Sequence, residues 1–279
     1  MVVIHRFDVA HPKQLHPSDS SEVKAYLIPL GFFTACACAA FDLTTFNARG
    51  SNQITAVSAR ASDDYVRTRQ HDGSFPVETY AFGRGGDYGG PVGDPTIAAF
   101  GFTEVAREIA GTLATQNYVP SKDPKSTRFL IMVYWGTSTG PGSNPVQFPT
   151  KELWDMQLTR NAMLLGYDAD LRASIGLDGK PQGWKRKDLF SDITLNRYFL
   201  VLMAYDFQLL WKQKKHKLVW ETRFSLRETG HDFGREFPMM AKYASKYFGQ
   251  NTRGLVRTPV PEGHVDIGEV KSLGTLPGK

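Results

Sequence analysis

Residues 198–227 constrain the fold more than any other stretch. Two runs rich in aromatic and β-branched residues flank Lys212-Gln213-Lys214-Lys215-His216-Lys217, and together they read as one long antiparallel ribbon. With Trp211 facing Leu218, the pairing continues as Leu209 with Trp220, Phe207 with Thr222, Tyr205 with Phe224 and Met203 with Leu226, a face that is apolar almost throughout. The opposite face pairs Leu210 with Val219, Gln208 with Glu221 and Asp206 with Arg223, so the acid of the first strand meets a base. A slip of one residue would set Arg223 and Glu221 among the aromatics, at a desolvation cost on the order of several kcal/mol. The pairing is therefore self-consistent. Asp206 with Arg223 reads as a cross-strand ion pair worth up to about 1 kcal/mol. A catalytic role for Asp206 would need a second acid or a histidine converging on it. The lysines and His216 of the turn discourage pairing with other strand edges, and a membrane-surface contact is the alternative use for them.

The remaining periodicities place this ribbon in a mixed α and β chain. Residues 128–135 are apolar almost without interruption, which predicts an interior strand covered on both faces. Residues 77–82 alternate as a second strand, and residues 41–77 suggest one or two edge strands. A helix is predicted over 103–116, with Thr103 as its cap and Phe102, Val105, Ala106, Ile109, Ala110 and Leu113 on one face. Thr150 caps a second helix over 151–165, which buries Trp154, Leu158, Ala162 and Leu165 and ends at Gly166. A third begins at Asp232 or in the segment up to Phe237, with Pro238 in its first turn. Residues 83–94, 136–149 and 167–196 read as loops because of their glycine and proline content. The fold class is α+β: a mixed, largely antiparallel sheet with a long C-terminal hairpin and three packed helices.

No repeat of 20 to 50 residues recurs, which sets solenoids and propellers aside. At 279 residues and 41% hydrophobic, the chain can bury a substantial core, and two cysteines are too few for a disulfide scaffold. A net charge of +5 falls short of a nucleic-acid footprint.

Residues 25–40 form an uncharged stretch between Lys24 and Asp42, shorter than the roughly 20 apolar residues of a membrane-spanning helix. Lys24, the apolar run from Tyr26 to Phe33 and the small residues from Ala35 to Ala40 follow the order of a secretory signal. Phe33-Thr34-Ala35-Cys36 loosely resembles a lipobox, with Cys36 as the lipidated residue. The competing reading is a buried strand or short helix. The expected division is a leader over 1–40, one α+β domain over 41–258 and a polar tail over 259–279.

Chemistry is sparsely signalled. Candidate ligand contacts are Arg84, Asp87 and Tyr88 in the glycine-rich stretch and Trp184, Lys185 and Arg186 in a basic cluster, the latter suited to an anion or a lipid headgroup. Tyr88 stands where a G-x-G-x-x-G fingerprint needs its third glycine, which argues against a dinucleotide site. None of the seven histidines falls at the i, i+4 spacing of a helical zinc site, so no metal ligand is assigned. No cofactor and no catalytic residue is assigned either.

Gly101-Phe102-Thr103-Glu104-Val105-Ala106 leading to Leu113 and Tyr118, Phe129-Leu130-Ile131-Met132-Val133-Tyr134, Tyr205-Asp206 with Leu218-Val219-Trp220-Glu221, and Tyr247-Phe248-Gly249 give the chain an order that resembles uncharacterised bacterial envelope and lipoprotein families. The resemblance covers about residues 78–250 and implies export and a non-enzymatic role, with no residue function to carry over. The expectation is an exported envelope protein, periplasmic or lipid-anchored, that binds an envelope partner or small ligand. The alternatives are an envelope hydrolase using Asp206 or the acids and histidines of the turns, and a cytosolic RNA-binding protein. Two acids, or an acid and a histidine, within about 4 Å of each other in a pocket would favour the hydrolase.

Overall fold

The computed structural model describes residues 3–4, 54–88, 94–174 and 183–259. An eight-stranded mixed sheet lies at its middle: β1 (Val3–Ile4), β2 (Ile54–Ala61), β3 (Glu78–Tyr88), β4 (Tyr118–Pro120), β5 (Phe129–Ser138), β6 (Arg197–Asp206), β7 (Leu218–Arg227) and β8 (Val256–Pro259). The spatial order is β1-β3-β5-β6-β7-β2-β8, with β4 paired to the start of β3. β3 runs parallel to β1, β4 and β5, and the pairings from β5 through β6, β7 and β2 to β8 are antiparallel.

Helices cover both faces. α1 (Pro95–Ala98), α2 (Phe102–Ala114) and α7 (Phe233–Ser245) close over one face, where Tyr80, Phe82, Ile131, Trp135, Leu200 and Phe224 are buried. α3 (Lys151–Leu165), α4 (Asp168–Ala173), α5 (Gly183–Thr194) and α6 (Phe207–Gln213) cover the other, over Leu130, Met132, Phe199 and Val201. This two-sided cover explains why β5 carries no alternation: both sets of its side chains enter a core. α3 matches its sequence reading at both ends. Thr150 accepts from the Leu153 N–H, and Gly166 adopts φ of 80°, a left-handed cap that a side chain would strain.

The ribbon register is corrected. β6 does pair with β7, but with an offset of five residues: Ala204 meets Trp220, Leu202 meets Thr222, Leu200 meets Phe224 and Tyr198 meets Leu226, and an irregularity after Ala204 brings Tyr205 against Leu218. The first strand stops at Asp206, whose carboxylate accepts from the Leu209 N–H and caps α6. The helix then ends at Lys214 in the left-handed conformation, φ 58°. Asp206 and Arg223 do not pair. Arg223 faces Val201 instead, on the side covered by α3, where it donates to Glu221 at 2.9 Å and to the carbonyls of Met163 and Leu164 at 3.2 and 3.1 Å. The desolvation cost that argued for the other register is thus offset by the carboxylate and by free carbonyls at a helix C-terminus.

Three further readings change. Residues 83–88 are strand rather than loop: β3 continues to Tyr88 with an irregularity at Arg84 and Gly86, where Gly86 takes φ of 147°. Glycine is needed here because a side chain at Gly83 would collide with Met132 and one at Gly85 with the Tyr134 ring, both from β5 alongside. The stretch 167–196 is largely helical, containing α4 and α5. β2 lies between β7 and β8 and is not an edge. Smaller shifts follow: Gly101 rather than Thr103 precedes α2, and Pro238 sits in the second turn of α7. The expected signal, Cys36 and most of the tail lie outside the described residues.

Candidate functional site

A cavity of about 290 Å³ opens between α3, α4 and α5. α3 contributes Leu158, Thr159, Ala162 and Met163; α4 contributes Asp168, Leu171 and Arg172; α5 contributes Arg186, Phe190 and Ile193. The amphipathic spacing of α3 turns Leu158 and Ala162 inward, while Thr159 and Met163, one position further round, stand at the exposed rim.

Polar contacts fix the walls. The Asn161 amide donates to the carbonyls of Ile193 at 2.9 Å and Thr139 at 2.8 Å, tying α3 to the end of α5. Tyr167, fully buried, donates from its hydroxyl to Asp192 at 3.1 Å and links the chain entering α4 to α5; burial pushes its phenol up. Asp192 also receives Arg197 at 3.2 Å and Arg257 at 3.1 Å, so one buried carboxylate joins α5, β6 and β8. Asp170 accepts from the Leu255 N–H at 2.7 Å and holds α4 from outside.

The mouth is cationic. Arg186 donates to the Leu171 carbonyl at 3.1 Å and to Ser174 Oγ at 3.0 Å, and its guanidinium lies 4.7 Å from the Phe190 ring centroid. Arg172, largely exposed, reaches Asp168, which Arg60 also approaches at 3.3 Å. The arrangement joins an apolar floor to a rim with more positive than negative groups, which suits a small ligand having an apolar body and an anionic end.

Of the residues singled out from sequence, Arg186 stands in the cavity wall. Trp184 and Lys185 belong to the first turn of α5, and their side chains lie outside the described residues. Arg84 is exposed on β3, and the backbones of Asp87 and Tyr88 pair with Trp135 and Gly136; β3 contributes nothing to the cavity lining. The two candidate groups are thus not united in one site. Sequence reasoning missed Asp168, Leu171, Arg172, Phe190 and Ile193, because glycine and proline content outweighed the i, i+4 spacing of Arg186 with Phe190 and of Leu189 with Ile193.

The hydrolase alternative meets two geometric facts. Asp206 is occupied as a helix cap. His231 and Glu236 do approach to 3.6 Å, but with side chains only 6% and 8% exposed, beside Phe233 and Phe237, and none of the residues lining the cavity is among them. Among the described residues no group of three or more histidine, cysteine, aspartate or glutamate side chains is placed to hold a metal ion, and no helix is long and apolar enough to cross a membrane.

No family model and no curated protein matches the sequence. Among solved structures, a PDZ domain protein from Parabacteroides distasonis ATCC 8503 aligns with a TM-score of 0.38 and 9% identity, over 74% of this chain and 39% of that one. This chain thus spans about two fifths of that protein's length. A DUF4136 family protein from Bacteroides thetaiotaomicron VPI-5482 aligns with a TM-score of 0.33 and 11% identity, over 73% of this chain and all of that one. Both neighbours are bacterial, and neither likeness carries a residue role to this chain.

Proposed function

We propose that this protein is an exported, non-enzymatic binding protein of the bacterial cell envelope that holds a small amphipathic anion between α3, α4 and α5. The observation carrying the binding reading is the cavity, where Leu158, Ala162 and Ile193 meet Arg172 and Arg186. Its size, near the lower bound for small-molecule sites, fits a short acyl or aryl group rather than a polymer. Among the described residues Arg172 is held by its i, i+4 pair with Asp168 alone, and with its side chain largely exposed it can turn to a ligand carboxylate or phosphate at little cost. The export reading rests on residues 24–40, where the cationic Lys24, the apolar run and the small-residue cluster suit a leader.

Decanoate, titrated against the protein by calorimetry, tests the cavity. Thr159→Trp places a ring at the mouth from an exposed helix position and is expected to abolish binding. Arg172→Glu should weaken decanoate about tenfold while leaving decanol unchanged. Undiminished binding by Thr159→Trp would remove the cavity from the account. Export is tested separately by fractionation and mass spectrometry of the mature N-terminus; an intact Met1 in the cytosol refutes it.

A further inference from the structure

The end of the sheet where β5 begins and β6 gives way to α6 carries an excess of lysine over acid. Gln208 of α6 donates to the carbonyls of Pro124 and Thr127 at 2.8 and 2.7 Å, which pins the loop carrying Lys122 and Lys125 beside the lysines that follow the helix. Lys122, Lys125, Lys212, Lys214 and Lys215 are all exposed, and among the described residues none has a carboxylate at ion-pair distance. Among the described residues the acids of this end are fewer than its lysines: Asp206 caps α6, Asp64 pairs with Lys217, Asp123 accepts from the Lys125 N–H at 3.0 Å, and Asp63 is exposed beside Asp64. Trp211 rises in the midst of these lysines, 42% exposed, its ring stacked at 6.2 Å on Phe207, which is itself anchored in the core.

We infer that this end of the molecule docks on a membrane surface rich in anionic lipid, with Trp211 entering the headgroup layer and the surrounding lysines facing the phosphates. A tryptophan ring with a polar edge is at home at the boundary between headgroups and acyl chains, and the lysine stems can lie along apolar surface while their ammonium groups reach phosphate. Each juxtamembrane lysine adds roughly fivefold in affinity for such a surface. A lipid surface is favoured over a single-stranded nucleic acid because one ring on a seven-residue helix offers no row of stacking platforms along a groove. The surface is separate from the cavity: no residue is shared between them.

Co-sedimentation of the full chain with phosphatidylcholine vesicles containing 30 mol%, or about one third, phosphatidylglycerol tests the inference, with pure phosphatidylcholine vesicles and an oligothymidylate as the other arms. The expected result is binding to the anionic vesicles alone, weakened by salt, and weakened about 25-fold or more in the doubly substituted Lys212→Glu, Lys215→Glu chain. The tryptophan emission should shift to the blue on binding, and Trp211→Phe should remove that shift. All three substitutions are at exposed positions, and circular dichroism checks that the variants fold. Equal binding to neutral vesicles, undiminished binding by the double variant, or tighter binding to oligothymidylate would each overturn the inference. Thr159→Trp should leave vesicle binding unchanged, which separates this result from the test of the cavity.

Discussion

Replacing Glu78 by glutamine removes one charge and almost no volume from the most heavily engaged carboxylate on the α2 and α7 side of the molecule. Glu78 is 4% exposed; it meets Arg67 Nε at 2.8 Å and an Arg128 nitrogen at 2.7 Å, and it accepts from the Tyr65 hydroxyl at 2.7 Å. The two arginines differ in what they lose. Arg128 has a side chain 55% exposed and recovers hydration, so its share is at most about 1 kcal/mol. Arg67, with a side chain 1% exposed, cannot. Breaking such a buried pair typically costs about 3–5 kcal/mol, because the remaining charge stays desolvated. Two carbonyls, of Pro76 and Gln116, and the flanking rings of Phe75 and Tyr118 still hold the guanidinium, which places the expected loss at the lower bound, about 3 kcal/mol. For a domain of this size that lowers Tm by about 6–12 °C. Urea denaturation followed by tryptophan fluorescence measures it. The decisive comparison is the double variant Glu78→Gln, Arg67→Met, which removes the stranded charge and should be more stable than Glu78→Gln alone. A loss below about 1 kcal/mol for Glu78→Gln, or a double variant less stable than the single, would refute the reasoning.

Two glycines of different surroundings should respond in opposite directions: Gly85→Val must displace the Tyr134 ring and is expected to cost about 1–3 kcal/mol, whereas Gly111→Ala, on α2 with open space around it, should gain roughly 0.5–1 kcal/mol, both read from chemical denaturation. Burial works against the charge of Asp94, but hydrogen bonds from the Tyr198 hydroxyl and from Thr96 prevail and hold its carboxyl below the usual range. A depressed folded-state value means that this stabilisation is complete above the unfolded value of about 3.9 and is lost as pH falls through the folded one. Asp94→Asn should therefore flatten the decline of the urea midpoint below about pH 4, and an unchanged acid slope would sink the assignment.

What could be read from the sequence depended on how local the deciding contact was. Both ends of α3 are set by residues within a turn of the boundary, Thr150 and Gly166, and β5 declares its two-sided burial through its own composition. The ribbon register failed on a non-local contact. Phe207, Leu209 and Trp211 alternate as a strand would, but Phe207, Leu210 and Trp211 equally fit a helix, and the choice is made by the Asp206 cap and by Leu130 and Met132 of β5, which receive Phe207 and Leu210. The charge pairing failed for the same reason: besides Glu221 on its own strand, Arg223 is satisfied by carbonyls about 60 residues earlier in the chain, outside the two strands. The glycines of β3 likewise read as a loop until Met132 and Tyr134 are laid over them. The cavity inherits this limit, because α5 owes its placement to Asn161, Asp192 and Arg257 contacts, and α4 to the contact of Asp170 with Leu255, all of which link distant segments. A desolvation penalty computed for two strands alone is thus an upper bound, since any third layer that supplies a carboxylate or a helix C-terminus can remove it. For a chain whose sheet is covered on both faces, pairing should be chosen by asking first which register leaves each helix a surface to bury, and only then where the charges fall.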